Sequence, residues 1–190
     1  MVLVVMENIQ EIIYNMKYNS KQYWNERKNP NKYNHIFNYE RDYIPPFVKD
    51  AKTVLDFGCG IGRTFPLYQN KEVTGIDFSS IYKDRCDPRM KHLVHDVHSE
   101  KLPFEDNHFD AGLLIKVTLH ANNKELQTII KEVGRVCKKV LIIAYGGGAK
   151  EKLAYHVFQH NYEAIINKLG FKCLSVNYVN DNQVIIEYTK

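Results

Sequence analysis

The sequence predicts an α/β fold, a three-layer sandwich around a mostly parallel seven-stranded sheet, preceded by an N-terminal helical cap. Three observations carry that expectation. From residue 53 onward, apolar runs of strand length alternate with segments of helical period. The first run, Val54 and Leu55, ends at Asp56 and breaks into Gly58, Gly60 and Gly62, as a buried strand does when it turns sharply. The closing runs, 171–178 and 183–188, are joined by Asn180, Asp181 and Asn182, which favour a hairpin.

At 190 residues the chain is most economically one domain over 1–190, with a cap at 1–50 and a core at 51–190. Apolar residues at 44% and charged residues at 25% are ordinary for a globular protein. The net charge of +4 is too small and too spread to argue by itself for nucleic acid. Cys59, Cys86, Cys137 and Cys173 form no C-x-x-C pair, so neither a disulfide framework nor a zinc knuckle is suggested, and a reducing, cytoplasmic setting is expected. The opening MVLVVM is short, lacks a preceding basic region and gives way at Glu7, so it reads as neither signal peptide nor membrane span. Oligomeric state is not readable.

Taking the elements in order, Ile9, Ile12, Ile13 and Met16 have the period of an amphipathic helix over 7–17. A second helix is predicted over 22–28, carrying Tyr23, Trp24 and Arg27, and a third from about Asn34, aligning Ile36, Glu40, Tyr43 and Ile44 until Pro45 and Pro46 stop it. The glycine turn at 53–62 ends strand one. A short helix over 63–69 tolerates Pro66 in its first turn. Strand two ends at Asp77, and Ser79 or Ser80 caps a helix that ends before Pro88. Strand three covers 91–95. Strand four, 111–117, is apolar apart from Lys116, as suits a central parallel strand. Asn122 and Glu125 read as a capping box for a helix buried on Leu126, Ile129, Ile130 and Val133. Strand five, 140–144, precedes the glycines 146–148 and a helix running to Gly170 as its C-cap.

Several residues point to a nucleotide-like ligand. Glycines let a ligand lie against bare backbone amides. Asp77 follows Gly58 by 19 positions, near the spacing of about 20 expected for an acid that grips ribose hydroxyls. The dinucleotide fingerprint would place its third glycine at Arg63, whereas here it comes one residue earlier, which disfavours a dehydrogenase. His92, His95 and His98 are spaced three apart, a spacing that does not converge on a strand, and no metal is expected.

The pattern D-F-G-C-G-I-G followed by G-I-D, then Asp96 and the run L-P-F-E-D-N-H-F-D at 102–110, resembles the class I S-adenosylmethionine-dependent methyltransferases over about 53–140. Lys138 and Lys139 depart from that family's Pro-Gly-Gly, in a turn away from the ligand edge. The resemblance implies a Rossmann-like sheet with an antiparallel last strand and S-adenosyl-L-methionine as cofactor. The cofactor would be held by Asp56, Gly58, Cys59, Gly60, Gly62, Asp77, Phe78, Asp96, Val97 and Lys116, with Tyr23, Trp24 and Arg27 closing as a lid. Asp96 would accept from the adenine amino group. For the transfer itself, His120 is the preferred base, with Lys116 and Tyr145 next and His156 a weaker candidate.

The expected acceptor is an O or N nucleophile of a small molecule, such as a metabolite, sugar or biosynthetic intermediate. No N-P-P-Y-like tetrad or large insertion suggests a macromolecular groove. RNA or protein remains the alternative, since the aromatic N-terminus with Lys17, Lys21, Arg27, Lys28 and Lys32 could stack on and neutralise a polynucleotide. A non-catalytic cofactor-binding protein is the second alternative, disfavoured because the aromatic cap and polar loop residues remain.

Overall fold

The computed structural model describes residues 24–26, 34–146, 157–179 and 182–190. Seven strands, β1 (Thr53–Phe57), β2 (Glu72–Asp77), β3 (Lys91–Val94), β4 (Ala111–Ile115), β5 (Lys139–Tyr145), β6 (Lys172–Val179) and β7 (Gln183–Thr189), make one sheet in the order β3-β2-β1-β4-β5-β7-β6. β1 to β5 run parallel, and β7 lies antiparallel to both β5 and β6. The predicted mixed sheet is therefore present.

Alternation along the strands divides the core into two layers. Leu55, Ile76, Leu114, Ile142 and Ile186 face helix α2 (Asn123–Val136), meeting Leu126, Ile130 and Val133. Val54, Val73, Leu113, Leu141 and Ile185 face the other way, against Ile44 and Phe47 of helix α1 (Asn38–Phe47) and against Phe65 and Tyr68. The α2 cap forms as expected: Asn122 Oδ1 accepts from the Lys124 and Glu125 N–H groups, and Glu125 Oε2 accepts from the Asn122 N–H.

Several boundaries differ from expectation, each for a local reason. Helix α1 begins at Asn38 and runs through Pro45 and Pro46, because both prolines fall in its last turn, which Val48 N closes onto Ile44 O at 3.1 Å. In place of a helix over 63–69 the chain forms a 3-10 turn, Phe65–Leu67. Tight bonds from Gly62 N to Cys59 O and from Phe65 N to Gly62 O carry the glycine turn straight into it. Ser79 makes no side-chain cap for the 3-10 helix Ser80–Arg85, since its hydroxyl is directed to Asn25. β4 stops at Ile115 because Lys116 adopts φ +60°. Helix α3 spans Tyr162–Lys168, with 157–161 before it non-helical and Gly170 at φ +83° just beyond it, while the earlier part of the predicted helix, 147–156, lies outside the described residues. The helix predicted over 7–17 lies outside the described residues, as does most of 22–28.

Candidate functional site

The carboxyl ends of β1, β2 and β4 open onto one cavity of about 480 Å³, within the range of about 300–1,000 Å³ typical of small-ligand sites. The glycine turn forms one wall. A Cβ on Gly58, at φ +71°, would lie 2.4 Å from Val117 Cγ2, so bare backbone is required there by the chain itself. Gly60, at φ +53°, faces open space, the cradle that a ligand lying on the backbone needs. Gly62, also expected among the ligand-holding residues, packs on Met90 and is set back from the cavity wall.

Asp77 closes the base of this cradle. Its Oδ2 accepts from Gly60 N–H and its Oδ1 from Ser79 N–H, both at 2.9 Å. Burial pushes its carboxyl up to about 6, against the pull of these two hydrogen bonds. Asp56 is raised to about 6 by the same cause, and it accepts from the Tyr68 hydroxyl at 2.6 Å. That bond ties the end of β1 to the turn that follows it. Asp96 and Val97 line the next part of the wall with Phe78. The Asp96 oxygens already accept from His98 N–H at 3.0 Å and Ser99 Oγ at 3.2 Å, which fixes the carboxylate's direction.

The opposite wall is polar and aromatic. Lys116, whose positive φ turns it off the end of β4, places Nζ 5.2 Å from the Tyr39 ring centroid. Burial depresses it to about 8, opposed by Glu40 and aided by Arg63. His120 ends the 3-10 turn Thr118–His120 and meets Trp24 edge-on at 5.0 Å. Asn25 Oδ1 accepts from Ser79 Oγ at 2.6 Å. Trp24 and Asn25 thus touch both the β4 and the β2 loops across the cavity. Tyr23, Arg27 and His156 lie outside the described residues. Tyr145 is set apart: it ends β5, donates its hydroxyl to Asn182 Oδ1 at 3.3 Å and does not line the cavity. The three spaced histidines do not gather. His95 meets the Glu100 carbonyl at 3.2 Å and its carboxylate at 3.5 Å, while His92 lies elsewhere, near two cysteines.

Sequence reasoning missed one pair that braces the site. Arg63 NH1 and NH2 donate to the two Glu40 oxygens at 2.6 and 2.5 Å, and NH1 also reaches the His35 carbonyl at 3.1 Å. Burial opposes the charge on Arg63, but the bonds and attraction of Glu40 outweigh it and raise its pKa. A charged residue in the apolar stripe of Ile36, Glu40, Tyr43 and Ile44 was the available signal, because a buried carboxylate requires a partner.

Residues 54–140 match the methyltransferase domain family. Over that stretch, a little under half of its length, the chain is similar to class I, S-adenosylmethionine-dependent methyltransferases. Over 103 residues it is 33% identical to sterol 24-C-methyltransferase ERG6B of Gibberella zeae, an alignment that covers 48% of this chain and 26% of that protein. The chain therefore spans about a quarter of that relative's length. Among solved structures, the fold resembles that of a SAM-dependent methyltransferase from Aquifex aeolicus (TM-score 0.67, 18% identity, 89% of this chain and 97% of that one). It also resembles the 1,6-didemethyltoxoflavin-N1-methyltransferase of Burkholderia thailandensis, solved with its acceptor and S-adenosylhomocysteine (TM-score 0.64, 12% identity, 96% and 87%). The two structural likenesses agree with the fold described above. Among the described residues no helix is long and apolar enough to cross a membrane.

Proposed function

We propose that the protein transfers the methyl group of S-adenosylmethionine to an oxygen or nitrogen nucleophile of a small molecule. The observation that carries this reading is the single chamber that joins the Gly60–Asp77 cradle to Lys116, His120 and Trp24. The residues fit the cofactor: the bare Gly60 backbone faces the cavity, and a carboxylate stands at the end of β2 to accept from ribose hydroxyls. Asp96 and the Val97 backbone supply the acceptor and donor that an adenine edge requires. The cofactor brings an electrophile already activated by its positive sulfur.

The chain's task is then alignment, for which well-oriented reactants gain on the order of 7 to 11 kcal/mol. Trp24, edge-on to His120, lines the acceptor side of the cavity. His120 is positioned to take a proton from the acceptor, a contribution of about 10² to 10⁴-fold where one must leave. Lys116, depressed to about 8, stays mostly charged at neutral pH and serves as an anchor for an anionic acceptor group, or as an alternative proton acceptor once pH rises through about 8. An acceptor of small size is supported by the cavity volume and by relatives whose names specify sterols and a toxoflavin precursor.

Calorimetry should show S-adenosylmethionine binding, strongly weakened by Asp77→Ala. A screen of methyl transfer across extracted metabolites and RNA should label a small molecule, and His120→Ala should slow that transfer. Absent binding, or tighter binding of a nicotinamide dinucleotide, sinks the cofactor assignment. Label in RNA alone overturns the acceptor class, and full turnover by His120→Ala removes it as base.

A further inference from the structure

A second site lies behind the glycine turn. In the sheet register, Gly75 of β2 stands opposite His92 of β3. A Cβ on Gly75 would lie 2.9 Å from both Cys59 Sγ and Met90 Sδ, so the absent side chain leaves room for sulfur packed against the strand. Cys86, just past the 3-10 helix Ser80–Arg85, donates to Gly60 O at 3.3 Å, the same carbonyl that Cys59 Sγ meets at 3.6 Å. The two sulfurs and a His92 ring nitrogen all lie within 4.8 Å of one another.

The histidine supplies an independent observation. Both its ring nitrogens are shielded from solvent, and neither has a hydrogen-bond partner. An unsatisfied buried polar group costs about 1–3 kcal/mol, so an imidazole held this way calls for an additional ligand. Two thiols and one imidazole are the donor set of zinc, at about 2.3 Å from sulfur and about 2.0 Å from nitrogen, with a fourth position left for water.

We propose that Cys59, Cys86 and His92 form a binding site for a thiophilic d¹⁰ cation, with Zn²⁺ as the reference ion. On binding, each thiol loses its proton to solvent as its sulfur–metal bond forms, so two protons leave and the imidazole binds in its neutral form. Because Cys59 sits between Gly58 and Gly60, the bound ion pins the turn from behind. Coordination and cofactor binding thereby act on the same few backbone bonds from opposite sides.

The test uses the reduced, metal-free chain, with no cofactor and no activity readout. Titration with Cd²⁺, followed by its ultraviolet thiolate-to-metal charge-transfer band, and with Zn²⁺, in competition with a chromophoric chelator, should saturate at one equivalent. Cys86→Ser and His92→Ala should each weaken binding by at least about tenfold, while Cys173→Ser should not. X-ray absorption at the zinc edge of the wild-type protein, which needs no variant to fold, should report two sulfur neighbours and one or more nitrogen or oxygen neighbours. Failure to bind one equivalent, wild-type affinity in either ligand variant, or a Cys59–Cys86 disulfide in place of bound metal overturns the proposal.

Discussion

Asp77 is held by two backbone N–H groups yet sits with its carboxyl raised to about 6, so its charge depends on pH in the range where the protein would be assayed. Ribose hydroxyls donate best to the ionised form. Cofactor affinity should therefore rise as pH climbs through about 6 and level off above it, falling by up to about tenfold per pH unit on the acid side. Asp77→Asn should flatten that profile, as calorimetry across pH 5 to 8 (about the range needed) will register; an unchanged profile would separate Asp77 from the ribose. Stability runs the other way. A carboxyl whose folded pKa is raised contributes stability that is fully present below its ordinary value of 3.8 and is lost as pH rises through about 6, and Asp56 has the same sign. At this scale Gly58, Gly60 and Asp77 were legible because chain spacing alone carries their relation. Cys86 and His92 were not, since their meeting with Cys59 depends on how β2 and β3 pair.

At the scale of elements, helix α2 shows a local rule overridden by packing. Gly134 lies in its C-terminal half, where alanine would gain about 1 kcal/mol of helix propensity. A Cβ there, however, would stand 2.6 Å from the Phe171 ring and 3.1 Å from Tyr188. Overpacking costs about 1–3 kcal/mol. Gly134→Ala should thus be net destabilising by about 1 kcal/mol in urea unfolding, and a stabilised variant would mean that Phe171 yields freely. The strands and the α2 cap were readable because apolar runs and the Asn122–Glu125 box are local signals. The helix expected over 63–69 was not, because helical period cannot register that consecutive tight bonds from Cys59 to Leu67 hold the chain in 3-10 geometry. Tyr145 belonged by order to the loop edge, yet the β5–β7 register sets it beside Gln183 and its hydroxyl on Asn182.

Across the whole molecule, one buried ion pair joins the N-terminal helix to the cofactor cradle. The Glu40 side chain is fully buried, and that of Arg63 is 16% exposed. Arg63→Met leaves a carboxylate without its partner inside the protein, and removing one member of such a pair costs about 3–5 kcal/mol. The double variant with Glu40→Gln should regain part of that loss in a mutant cycle, whereas additive losses would show that the two residues act separately. Parallel strands and the cavity at their carboxyl ends follow from element order, so this level was the most legible. The bracing between α1 and the turn was not, because 23 residues separate its partners.

The position of β7 has a consequence for the order in which the sheet can close. β7 is the strand that links β6 to the rest of the sheet, lying between β5 and β6. Until residues 183–189 are seated, β6 has nothing to pair with, and Val184, Ile185 and Ile186, which end up buried in the two core layers, do not yet cover β5. A strand later in the chain is thus inserted between two earlier ones, so the folding chain passes through a stage with an open apolar edge that a chaperone would recognise.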